Sequence, residues 1–156
     1  MKDGSKQRKK PLDSLKVAEY FLSKIDEDAG ELISNLKLQK LLYYAQGLHL
    51  AMFDEPLFKE EIEAWTHGPV VPKIYHHFKE YGDGGIPSPA KVPKLDKGTI
   101  EFLDEIYRIF GQYSAWKLRN MTHEEPPWKQ AVARKNRVID PKIMRKYFKT
   151  LLKDDA

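Results

Sequence analysis

Cysteine is absent from this chain of 156 residues, so neither a disulfide nor a thiolate metal site can hold it together. Long apolar runs are missing too. No N-terminal stretch reads as a signal peptide and none is long enough to cross a bilayer, so a cytoplasmic protein without a membrane partner is expected. Charge of one sign is scarce once the first ten residues are set aside. Lys2, Lys6, Arg8, Lys9 and Lys10 against Asp3 account for the whole net charge of +4, which leaves the remainder balanced. A balanced body does not favour a phosphate-binding face, and nucleic acid is not the expected partner. What is present suffices for one folded domain: 41% of residues are hydrophobic and 12% aromatic, enough for a normal core. Residues 1–11 read as a basic tail and residues 12–153 as the domain.

Recognisable catalytic patterns are also missing. His123-Glu124-Glu125 fails as a zincin helix because Pro127 stands where the second histidine would be. The plainer reading places His123 at a helix entry, bonded to backbone, with Glu124 and Glu125 near a positive helix N-terminus. The five histidines (His49, His67, His76, His77 and His123) lack chelating spacing. Gly68-Pro69 before a helix has the look of an anion site. No further glycine follows, however, and Pro69 and Pro72 remove two backbone donors. The pair reads instead as a rigid corner that aims Trp65. No enzyme, cofactor or metal is expected, because no acid, base and nucleophile converge.

Periodicity predicts a mainly α domain of six or seven helices. Ala18, Phe21, Leu22 and Ile25 mark a helix over 13–25, capped by Asp13. Leu38, Leu41, Leu42, Ala45, Leu48 and Met52 mark a longer one over 35–53, with Ser34 or Asn35 as cap. Gly47 inside it implies close approach by another backbone. Residues 58–66 alternate and fit either a small β element or a helical turn. A helix begins between Pro69 and Pro72 and stops at Gly82, and a long loop fills 82–98. Helices follow over 98–113, from Ser114 to Asn120, from Pro126 through Ala133, and after Asp140-Pro141. The last should bury Ile143, Tyr147, Phe148 and Leu151.

Three stretches remain: Leu38-Gln39-Lys40-Leu41-Leu42-Tyr43-Tyr44, the run from Trp65-Thr66-His67-Gly68-Pro69 to Ile74-Tyr75, and Met121 to Pro126-Pro127-Trp128. Their order and spacing, over roughly residues 15–135, resemble the Panacea domain. This is the SocA-like antitoxin family, also met as phage-associated proteins. The resemblance implies a helical domain that neutralises a cognate toxin by direct protein–protein binding, in one member as an adaptor that delivers the toxin to a cytosolic AAA+ protease. It carries over no enzymatic site. Varied partners call for a few rigid aromatic anchors. Lys40, Tyr44 and Trp65 are the candidates, with Glu60 and Glu61 in the acidic stretch from Asp54 to Glu63 steering a basic partner. Gln39, Gly68, Pro69, His123 and Trp128 are read as structural. The alternative is a DNA-binding regulator using the basic segment 129–149.

Overall fold

A computed structural model describes residues 10–152, so the tail over residues 1–9 lies outside the described residues. Helix α1, Ser14–Ser23, starts where the Asp13 carboxylate accepts from the Leu15 N–H at 2.9 Å. Helix α2, Asn35–Phe53, starts where the Ser34 hydroxyl accepts from the Lys37 N–H at 3.2 Å. It ends at Asp54, which turns left-handed at φ 59° and donates its N–H to the Leu50 carbonyl. A hairpin follows: β1, Glu63–Trp65, pairs antiparallel with β2, Gly68–Val70, so that Trp65 faces Gly68 across a Thr66-His67 turn. The remaining helices are α3 (Pro72–Phe78), α4 (Lys97–Phe110), α5 (Ala115–His123), α6 (Pro126–Ala133) and α7 (Pro141–Leu152). The fold is mainly α, with this one small sheet, as expected.

Helix α2 is the axis of the fold. It packs against α1, α3, α4, α5, α7 and β2, so almost no face of it meets solvent. This corrects the single apolar stripe expected from its sequence. Gln39, Lys40, Tyr43, Tyr44 and Gln46 are buried beside the leucines, while Met52, expected inside, is half exposed near the C-terminal end. The buried polar groups survive because each finds partners. The Gln46 carbonyl oxygen accepts from the Leu57 and Phe58 N–H groups at 2.8 and 3.1 Å, and its amide donates to the Phe58 carbonyl at 2.9 Å. Leu57 in turn accepts from the Leu12 N–H at 2.8 Å, which ties the start of the domain to the same segment.

Gly47 faces a ring and not, as expected, a backbone. A Cβ there would stand 2.1 and 2.2 Å from two ring carbons of Phe148. That ring is fully buried and packed edge-on against Tyr43, Tyr44 and Tyr147, so it has nowhere to swing. Gly47→Ala should therefore destabilise the domain by about 1–3 kcal/mol through overpacking, despite alanine's better helix propensity. Adding Phe148→Leu should recover part of the loss, read as the urea midpoint. A raised midpoint in Gly47→Ala alone would show that the ring yields freely. Leu151, also expected inside, is half exposed, and Met144 takes its place beside Phe148 in the core.

Candidate partner-binding groove

The three motifs meet at the hairpin. Gln39 fixes β2 from below: its side-chain oxygen accepts from the Val71 N–H at 2.8 Å, and its amide donates to Asn35 at 2.9 Å. Asn35 donates onward to the Tyr75 carbonyl at 3.0 Å. Lys40 reaches under the corner and donates to the Pro69 carbonyl at 3.1 Å. Gly68, at φ 109°, makes room for it; a Cβ there would lie 2.7 Å from Lys40 Cε and 2.8 Å from Thr122 Oγ1. The ammonium is wholly buried, and burial pushes it down to about 7, with the Arg119 guanidinium acting the same way.

The third motif closes the other side. Trp128 donates its indole N–H to the Trp65 carbonyl at 2.8 Å and stacks on His123 with ring centres 4.0 Å apart. His123 bonds the Thr66 backbone and ends α5; burial lowers its pKa, and Arg119, Lys40 and His67 push it the same way. Glu125, expected near a helix N-terminus, stands at the N-cap position of α6 and is buried. It accepts from the Tyr43 and Tyr44 hydroxyls at 2.9 and 2.8 Å and also from Tyr147. Burial pushes its carboxyl up to about 7 against those three bonds. Burial likewise raises all three tyrosines, with the Glu125 charge adding to it.

Above this floor lies a groove of about 910 Å³, with Trp65, Tyr75, Trp116, His67, Lys79 and Arg137 among its walls. The Trp65 ring meets Tyr75 edge-on at 5.0 Å, and its indole N–H donates to Glu63 at 2.9 Å. Trp116 is 53% exposed. The Arg119 guanidinium lies over it at 4.3 Å and donates to His67 at 3.2 Å, so the ring is held rather than loose. A second hollow of about 540 Å³ adjoins it, sharing Ala64, Trp65, Thr66 and Arg137 and reaching Val132, Lys135 and Asn136.

Of the candidate contact residues, Trp65 stands in a groove wall and Lys40 lies in the groove floor. Lys40 and Tyr44 are corrected to interior positions, because α2 is enclosed on all sides. Glu60 is also structural: it accepts from the Ser14 N–H at 3.0 Å and pairs with Lys73 at 3.0 Å. Glu61 is exposed but away from the groove. Trp116 was missed by sequence reasoning. The available signal was a tryptophan three residues before Arg119 on one helix face, off the buried face of Leu118 and Thr122.

These features describe a helical domain built round one buried helix, with a hairpin opening an aromatic groove. Residues 38–129 match the family described as antitoxin SocA-like, Panacea domain, and the chain belongs to that family. It is 34% identical to Antitoxin SocA of Caulobacter vibrioides over 109 residues, which are 62% of this chain and 58% of that relative. The chain thus matches less than two thirds of the curated relative's length. No solved structure matches the chain. Among the described residues no helix is long and apolar enough to cross a membrane, and no cluster of three or more histidine or acidic side chains could hold a metal ion.

Proposed function

We propose that this chain is an antitoxin that neutralises a toxin by binding it directly, without turnover, through the groove between Trp65 and Trp116. Trp116 carries the reading. A half-exposed tryptophan preset by a stacked arginine, at the wall of a large groove, is the kind of rigid anchor that supplies most of the affinity at protein interfaces. Family membership supports the toxin as the partner. Delivery of the bound toxin to a cytosolic AAA+ protease is a separate step in this proposal and predicts a shorter toxin half-life when the chain is present. The DNA-regulator alternative is weaker, because Arg137 is engaged by Glu63, and Arg145 and Lys149 by Asp54.

Trp116→Ala and Trp65→Ala should each weaken binding of the cognate toxin by about 2 kcal/mol, or roughly 30-fold. The check is growth rescue on co-expression with the toxic neighbouring reading frame, plus titration of the purified pair, with folding confirmed by circular dichroism. Full rescue and unchanged affinity in both folded variants would place the contact surface elsewhere.

A further inference from the structure

The groove and the adjoining hollow are unlike the rest of the surface in charge. Beyond residue 10 the chain is balanced, yet the two hollows are lined by Lys40, Lys79, Lys135 and Arg137 against Asp83 alone. Arg137 is already matched by Glu63 at 2.9 Å. Arg119, stacked on Trp116, adds a further cation at the wall. With Lys40 pushed down to about 7 by burial, the surplus at neutral pH lies between two and three positive charges round one apolar hollow. Lys40 beneath it donates to a single backbone carbonyl, and its neighbours His67, Arg119 and His123 supply no negative charge. Like charges crowded in this way raise the local potential and favour an anionic occupant.

Several acids elsewhere on the chain already have cationic partners. Asp54 holds Arg145 and Lys149, Glu60 holds Lys73, and Asp104 holds Lys24. Within the acidic stretch from Asp54 to Glu63, Asp54, Glu60 and Glu63 are thus already paired, while Glu61 is exposed. The apolar walls argue for a protein occupant over a bare phosphate chain: Trp65, Trp116 and Tyr75 offer area to an aliphatic or aromatic side chain, and Lys79 and Lys135 add exposed cations beside them.

We propose that the two hollows flanking Trp65 together receive one extended acidic segment of the partner protein, with an apolar side chain set against the tryptophans and carboxylates ending on Lys79 and Lys135. The proposal rests on the binding reading above and adds the chemistry of the occupant. It makes Trp65, which borders both hollows, the residue the segment crosses.

The test needs no toxin. Two fluorescein-labelled peptides of equal length are titrated into the full chain by fluorescence anisotropy, one of glutamate and leucine around a single tryptophan, the other with lysine for each glutamate. The acidic peptide should bind at least 10-fold more tightly. Lys79→Glu with Lys135→Glu, both on exposed side chains, should weaken it at least 10-fold, whereas Lys16→Glu with Lys94→Glu, the same charge change away from the hollows, should alter it less than 2-fold. Equal binding of both peptides, no binding of either, or equal weakening by the two double variants would overturn the proposal. Displacement of the acidic peptide by oligo(dT) at equal concentration would also overturn it and mark a phosphate-binding surface. Growth rescue is read separately. A chain that rescues but ignores the acidic peptide loses only this inference, and one that binds the peptide but never rescues loses the antitoxin reading.

Discussion

At pH 5, Glu125→Ala should cost the domain about 4 kcal/mol, a large share of the 5–15 kcal/mol that holds a domain of this size together. The substitution leaves the Tyr43 and Tyr44 hydroxyls, both in the core, without their acceptor. Each orphaned buried hydroxyl costs about 1–3 kcal/mol, and the missing carboxyl adds a void. The cost should depend on pH, and the sign follows from the raised pKa. In the unfolded chain Glu125 ionises near 4.5, whereas in the fold burial holds its proton up to about 7. The stability contributed by the protonated form is therefore full below 4.5 and is lost as pH rises through 7. The loss amounts to roughly 3 kcal/mol at 1.36 kcal/mol per unit. Glu125→Gln keeps the shape and an acceptor oxygen but cannot ionise. It should match the parent near pH 5, exceed it near pH 8, and flatten the slope between. Denaturant unfolding at pH 5, 6.5 and 8 reads all three chains. A parent slope that Glu125→Gln leaves unchanged would assign the titration to another group.

Much of this architecture is written locally. Asp13, Ser34 and Ser114 each accept from a backbone N–H two or three residues on, so the starts of α1, α2 and α5 are legible as short-range chemistry. Trp65 could be found in the same way, because it sits beside a Gly-Pro corner that must point it somewhere. Lys40 and Tyr44 could not be placed. Their partners are a carbonyl 29 residues away and a carboxylate 81 residues away, and no periodicity reports such distances. A helix enclosed on every side keeps its polar residues inside, so the usual equation of polar with exposed fails for α2. The pairings in the acidic stretch were illegible for the same reason: Glu60 and Glu63 are paired to Lys73 and Arg137, which only the folded chain brings near. The resemblance of the motifs located the floor of the groove, and the groove's own wall residue, Trp116, lies between two of those motifs.

Gly68→Val should lower stability by about 3–5 kcal/mol, from two separable sources. The backbone at φ 109° is one that side-chain-bearing residues rarely adopt, which costs about 1–3 kcal/mol. The added Cβ also meets Lys40 Cε at 2.7 Å and Thr122 Oγ1 at 2.8 Å, an overpacking of similar size. Pro69→Ala, which keeps the carbonyl that accepts from Lys40, should cost less than 1 kcal/mol by comparison. Combining Gly68→Val with Thr122→Ala removes one collision but not the strained φ, so it should restore only part of the stability. Binding should follow the same order, since Gly68 pairs with Trp65 across the hairpin and a shifted β2 carries that ring out of the groove wall. Melting temperature and toxin affinity are measured on each variant. If Gly68→Val melted like the parent but no longer bound toxin, the corner would be a contact surface rather than the hinge pin of the hairpin. If it retained both properties, neither the collision nor the strain would be present in solution.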